Sequence, residues 1–145
     1  IGRVHGELTD YRKALEYHQR ALNLVERALG AESRSPIRAS ILDNMGATYF
    51  HLGEHRKSLE ASLASLAIRT EMFGHSHPAV VKNVSNIAAC YLEMGQTHKG
   101  YQTIDDCLKV LPKEGEEHKF LKKRRREFES RFQRPGFRQP KRTRR

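Results

Sequence analysis

Two asparagines, Asn44 and Asn86, stand 42 residues apart at the same place in the same ten-residue motif. A side-chain amide both donates and accepts hydrogen bonds, so such a pair could hold the backbone of another polypeptide whatever its sequence. The residue types of other chemistries do not assemble. Eight histidines are present, but His75-x-His77 falls in an expected loop, and His51 and His55 straddle Gly53. Neither pair has a cysteine or carboxylate at a ligand-like spacing, so turn and surface roles suit them better than a metal site. Cys90 and Cys107 occupy apolar helical positions, as small buried thiols do in a reducing compartment, and two cysteines are too few for a disulfide scaffold. No Ser-His-Asp arrangement, Gly-rich phosphate loop or enclosed pair of acids can be put together. The expectation is a protein without catalytic residues, metal or cofactor.

Cationic chemistry is the second signal, and its placement says more than the net charge of +10. Residues 1–112 hold 13 Lys and Arg against 12 Asp and Glu, a net of +1, whereas residues 113–145 hold 14 against 5, a net of +9. Lys122, Lys123, Arg124, Arg125 and Arg126 form one run, and Lys141, Arg142, Arg144 and Arg145 form another behind Pro140. Such runs are read by nuclear import receptors, or attracted to nucleic acid or an anionic surface; a solvated helix face with a cationic tail is the plainer reading. Phe120, Phe128, Phe132 and Phe137 are the aromatics interleaved in this basic segment, and the three on the helix serve packing better than base stacking.

The elements that position these residues repeat. Asn44-Met-Gly-Ala-Thr-Tyr-Phe-His-Leu-Gly53 returns as Asn86-Ile-Ala-Ala-Cys-Tyr-Leu-Glu-Met-Gly95, and a fainter copy shifted by 44 opens the chain at Ile1–Thr9. A period of forty-odd residues signals stacked repeats. Helices are expected over Tyr11 to about Leu29 with Asp10 as its cap, Pro36 to about Leu52, Glu54 to Phe73, Pro78 to Met94, Thr97 to Leu111, and Glu116 to about Phe132. Gly30, Gly53, Gly74 and Gly95 punctuate them, and Pro36 and Pro78 restart the chain. Nothing alternates with the period of a strand, so the fold is all-α. The array spans 1–112, in copies of about 1–34 (truncated), 35–76 and 77–112. A terminal helix over 113–133 caps its apolar end, and 134–145 has too little apolar content to fold alone. The chain opens without Met and inside a repeat copy, which reads as a piece of a longer array. No stretch approaches the roughly 18 uncharged apolar residues of a membrane helix. Cytoplasmic residence is expected, or nuclear through Lys122–Arg126 or Pro140–Arg145.

The spacing resembles the tetratricopeptide signature, W-x2-L-G-x2-Y followed by A-x3-F-x2-A and Pro on a helix-turn-helix. Its first half appears as Leu42-x2-Met45-Gly46-x2-Tyr49 and Val84-x2-Ile87-Ala88-x2-Tyr91. Its second appears as Ala14-x3-His18-x2-Ala21, Ser58-x3-Ser62-x2-Ser65 and Gly100-x3-Ile104-x2-Cys107, with Pro112 where the signature's proline falls. Tryptophan is absent and the period is 42–44 rather than about 34, which looks like the longer repeats of kinesin light chains and nephrocystin-like proteins. The resemblance implies a tetratricopeptide-type helical-hairpin solenoid whose first helices line a concave groove for a partner peptide or helix. Carried over by alignment, that groove would present Ser40, Asp43, Asn44, Ala47, Phe50 and His51, then Lys82, Ser85, Asn86, Ala89, Leu92 and Glu93. Positions 40, 43, 44, 47 and 51 do share one helical face. Lys82 against Asp43 and Glu93 makes the groove mixed in sign. The implied role is a scaffold or adaptor that binds a protein, with an anion-binding or import function of the basic segment as the alternative, and stacking on missing repeats or on another copy at the N-terminal end.

Overall fold

The computed structural model describes residues 2–132, with side chains from residue 6 onward. Six helices follow one another: α1 (Gly2–Leu29), α2 (Pro36–His51), α3 (His55–Phe73), α4 (Pro78–Glu93), α5 (Thr97–Val110) and α6 (Glu116–Phe132). No strand occurs among the described residues. The architecture is an all-α helical-repeat solenoid.

Local chemistry sets where the helices begin and end. Ser35 and His77 occupy the N-caps of α2 and α4 in extended backbone; the Ser35 hydroxyl accepts from the Arg38 N–H, and His77 Nδ1 accepts from the Ala79 N–H. Pro36 and Pro78 follow at the first helical positions, where a missing N–H costs nothing. Both helices stop before Gly53 and Gly95, whose φ values of 75° and 74° are ones that L side chains rarely adopt. In the opening copy the matching residue is Thr9, and no non-glycine residue among those described has positive φ. The expected break with Asp10 as cap is therefore absent, and α1 runs unbroken from Gly2 to Leu29. At the other end, Pro112 keeps Leu111 extended (ψ 141°), so α5 has 14 residues where α3 has 19.

Packing gathers the apolar residues into two clusters. Leu22, Ala39, Leu42, Met45 and Ile68 join α1, α2 and α3, while a larger cluster including Val81, Val84, Leu92, Ile104 and Leu111 joins α4 and α5 to α6. The helix α6 enters through Leu121, Phe128 and Phe132, each of which is buried; burial of one such side chain is worth roughly 1.5–3 kcal/mol. Between the clusters runs a buried polar seam. Ser58 Oγ donates to the Gly46 carbonyl (2.7 Å) and accepts from Cys90 Sγ (3.3 Å). Ser65 Oγ donates to the Ala39 carbonyl and accepts from Asn83 Nδ2, both at 3.2 Å.

The last helix lies beside α4 and points the same way. Arg124, midway along α6, donates through Nε to Ser85 Oγ (3.2 Å) midway along α4, and Arg131, late in α6, pairs with Glu93 at the end of α4. It therefore occupies the place that the first helix of a further hairpin would take. The basic positions Lys141, Arg142, Arg144 and Arg145 lie outside the described residues.

A candidate partner-binding cleft

Three successive first helices, α2, α4 and α6, face a common cleft of about 210 Å³. Ala47, Phe50 and His51 form the α2 wall, Asn86 and Ala89 the α4 wall, and Arg124, Phe128 and Arg131 the α6 wall. Gly46, Ser58 and Ser62 complete its lining. The floor is narrow because the hairpin is tight there: a Cβ on Gly46 would stand 3.0 Å from Ser62 Oγ.

The side chains expected on one groove face separate into groups. Ala47, Phe50, His51, Asn86 and Ala89 line the cleft together. Ser40 and Asn44 are exposed on α2 but do not line it. Asn44 and Asn86 thus do not share one cavity, although both amides are open to solvent. Asp43 is held by Arg69 in an ion pair of 2.6 Å, and Glu93 by Arg131. Lys82 is exposed beside a separate apolar pocket that includes Val81 and Phe120. Two expectations are corrected. Ser85 is 2% exposed because α6 covers it, and Leu92 is 2% exposed because it packs on Gly100 of α5. Neither faces open groove.

The α6 wall and the serine floor were not read from the sequence as cleft residues. The signal was the position of α6 after two complete hairpins, which makes it a third first-helix. Its basic run is divided by the helix. Arg124 packs 4.7 Å from the Phe128 ring centroid and bonds Glu127, while Arg125 is anchored to Asp105 (2.8 Å), pairs with Glu129 and covers the Tyr101 ring. The Asp105 carboxylate raises the Arg125 pKa further above its ordinary value. Lys122, Lys123 and Arg126 remain exposed.

Three of the histidines, His51, His55 and His77, and both cysteines have packing roles. His51 stacks on Tyr11, Phe50 meets His55 edge-on, and His77 stacks on Phe73 while capping α4. Burial pushes the Cys90 and Cys107 thiols above their ordinary pKa, which keeps them protonated and unreactive. Among the described residues no three His, Cys, Asp or Glu converge as metal ligands would, and no helix is long and apolar enough to cross a membrane.

A family model of the tetratricopeptide repeat matches residues 37–99, and a second model of the same repeat matches residues 1–35. No curated protein matches the chain. Tetratricopeptide repeats generally mediate protein–protein interaction and are typically non-enzymatic. With paired helices stacked at a 42-residue period and two models of that repeat along them, the chain belongs to the tetratricopeptide repeat family.

Proposed function

We propose that this chain is a non-enzymatic interaction module that grips an extended segment or helix of a partner protein in the cleft between α2, α4 and α6. The observation that carries the reading is a single cavity walled by three parallel repeat positions and combining Phe50, Ala47, Ala89 and Phe128 with the free amide of Asn86. At about 210 Å³ it is smaller than the roughly 300–1,000 Å³ of a small-molecule pocket. It suits one anchoring side chain of a longer ligand, whose backbone the Asn86 amide can meet with a donor and an acceptor. The arginines of the wall are already paired with Glu127 and Glu93, so this binding depends little on salt.

Selection of peptides on the chain from a random library, followed by affinity measurement on soluble peptides, tests the reading. Ala47→Trp fills the cleft from an exposed position and should weaken the selected peptides at least about tenfold, as loss of one buried anchor does. Asn86→Ala should weaken them by about 2- to 10-fold, the worth of one hydrogen bond. Peptides that bind the Ala47→Trp protein as well as the parent would show that the cleft is not the site.

A further inference from the structure

We propose that the outer face of α6 is a second, independent binding surface, which takes the phosphate backbone of a duplex nucleic acid without reading its sequence. The five-residue run Lys122–Arg126 is not one patch. The helix turns Arg124 and Arg125 inward, onto Ser85, Glu127, Asp105 and Glu129. Lys122, Lys123 and Arg126 are left exposed, and none of the three has an ion pair among the described residues. Lys119 joins them, since its pair with Glu116 spans 3.5 Å between two well-exposed side chains and is worth little.

Helical spacing places positions 119, 122, 123 and 126 within an arc of about 100° and a rise of about 10 Å. Each strand of a duplex carries one phosphate per roughly 3.4 Å of helix axis, so a cationic arc of this length spans two to three phosphates of one strand. On its C-terminal side the carboxylates do not cancel this face, because Glu127 and Glu129 are held by the inward arginines; on its N-terminal side Glu116 offsets part of Lys119 alone, which leaves Lys122, Lys123 and Arg126 as its core.

The same face argues against other anionic partners. A membrane-surface helix needs its apolar side free to enter the lipid, and here Leu121, Phe128 and Phe132 are buried in the protein. Single strands are held largely by stacking on aromatic side chains. The cationic arc has none, and Phe120 at its edge belongs to the apolar pocket with Pro78 and Val81.

The test is fluorescence anisotropy of the full chain with 20-base-pair DNA and RNA duplexes of two unrelated sequences each, over a salt series. The parent should bind both sequences of a kind about equally, with affinity falling steeply with salt. The triple variant K122A/K123A/R126A should lose about tenfold or more in affinity near 100 mM salt, and its log–log salt slope should be shallower by about 2 to 3. Circular dichroism should match the parent, because all three side chains are exposed; K122Q/K123Q/R126Q repeats the measurement if the alanine protein does not fold. Binding of either duplex supports the proposal, and the tighter of the two names the source. An unchanged slope, a strong preference between sequences, or tighter binding to phosphatidylserine vesicles than to either duplex overturns it. Asn86→Ala should leave duplex binding intact, which separates this surface from the cleft.

Discussion

The hairpins α2–α3 and α4–α5 align residue for residue at an offset of 42, yet their helix crossings are filled with opposite chemistry. In the first, Gly46 on α2 faces Ser58 on α3, and Ser58 donates to the Gly46 carbonyl. In the second, Ala88 on α4 faces Gly100 on α5, so the glycine has changed sides. Further along, Ser62 and Ser65 of α3 correspond to Ile104 and Cys107 of α5. The reason lies in what stacks next. The outer neighbour of α3 is α4, which brings the Asn83 amide and the Cys90 thiol against the serines. The outer neighbour of α5 is α6, which brings Leu121, Phe128 and Phe132. A repeat's period specifies its backbone, and the chemistry of its second helix answers the following helix.

The largest effect should come from the pair Ile104 and Ser62. Ile104 is fully buried in the apolar cluster, so Ile104→Ala should cost about 2–5 kcal/mol by loss of transfer free energy plus a cavity. Ser62→Ala removes a hydroxyl with little to fill and should stay within about 1 kcal/mol. Urea unfolding of the two variants measures the difference. Equal costs would mean that the two crossings are packed alike after all.

A smaller change should follow from Ser65, the most connected hydroxyl of the seam. It donates to the Ala39 carbonyl and accepts from both Asn83 Nδ2 and, at 3.4 Å, Arg69 Nε. Ser65→Ala would leave the Asn83 amide, 3% exposed, without that acceptor, at a cost of about 1–3 kcal/mol. Unfolding at unchanged stability would show that the seam is filled by packing rather than by its hydrogen bonds.

The sequence was informative where one residue decides local backbone and mute where distant helices decide exposure. Pro36, Pro78, Gly53 and Gly95 announced the hairpins because ring geometry and positive φ act within a single turn. The unbroken α1 was legible only in the absence of such a residue, Thr9 standing where glycine was needed. At the cleft, positions along α2 and α4 could be assigned to a helical face, but Ser85 is hidden by Arg124, 39 residues away. No periodicity within α4 carries that information. The run Lys122–Arg126 looked uniform as text, and only the packing of α6 separates its anchored arginines from its exposed cations.

The finest test of the comparison is the exchanged glycine. Alanine favours a helix interior over glycine by about 1 kcal/mol, so both Gly46→Ala and Gly100→Ala begin with that gain. At Gly46 the new methyl would meet Ser62 Oγ at 3.0 Å, with Ala61 Cβ at a comfortable 3.7 Å. A serine hydroxyl can turn away, so the gain and the crowding should offset each other to within about 0.5 kcal/mol. At Gly100 the methyl would stand 2.9 Å from Leu92 Cγ and 3.2 Å from the Ala88 carbonyl oxygen. Leu92 is buried and the carbonyl belongs to α4 itself, so relief requires the helices to separate. Overpacking of that kind costs about 1–3 kcal/mol, more than the propensity gain. Gly100→Ala should therefore lower the unfolding free energy measured in urea by a net of about 1 kcal/mol while Gly46→Ala leaves it nearly unchanged. The reverse order would place the tighter crossing in the serine-lined hairpin, and the account of why the glycine changes sides would fail.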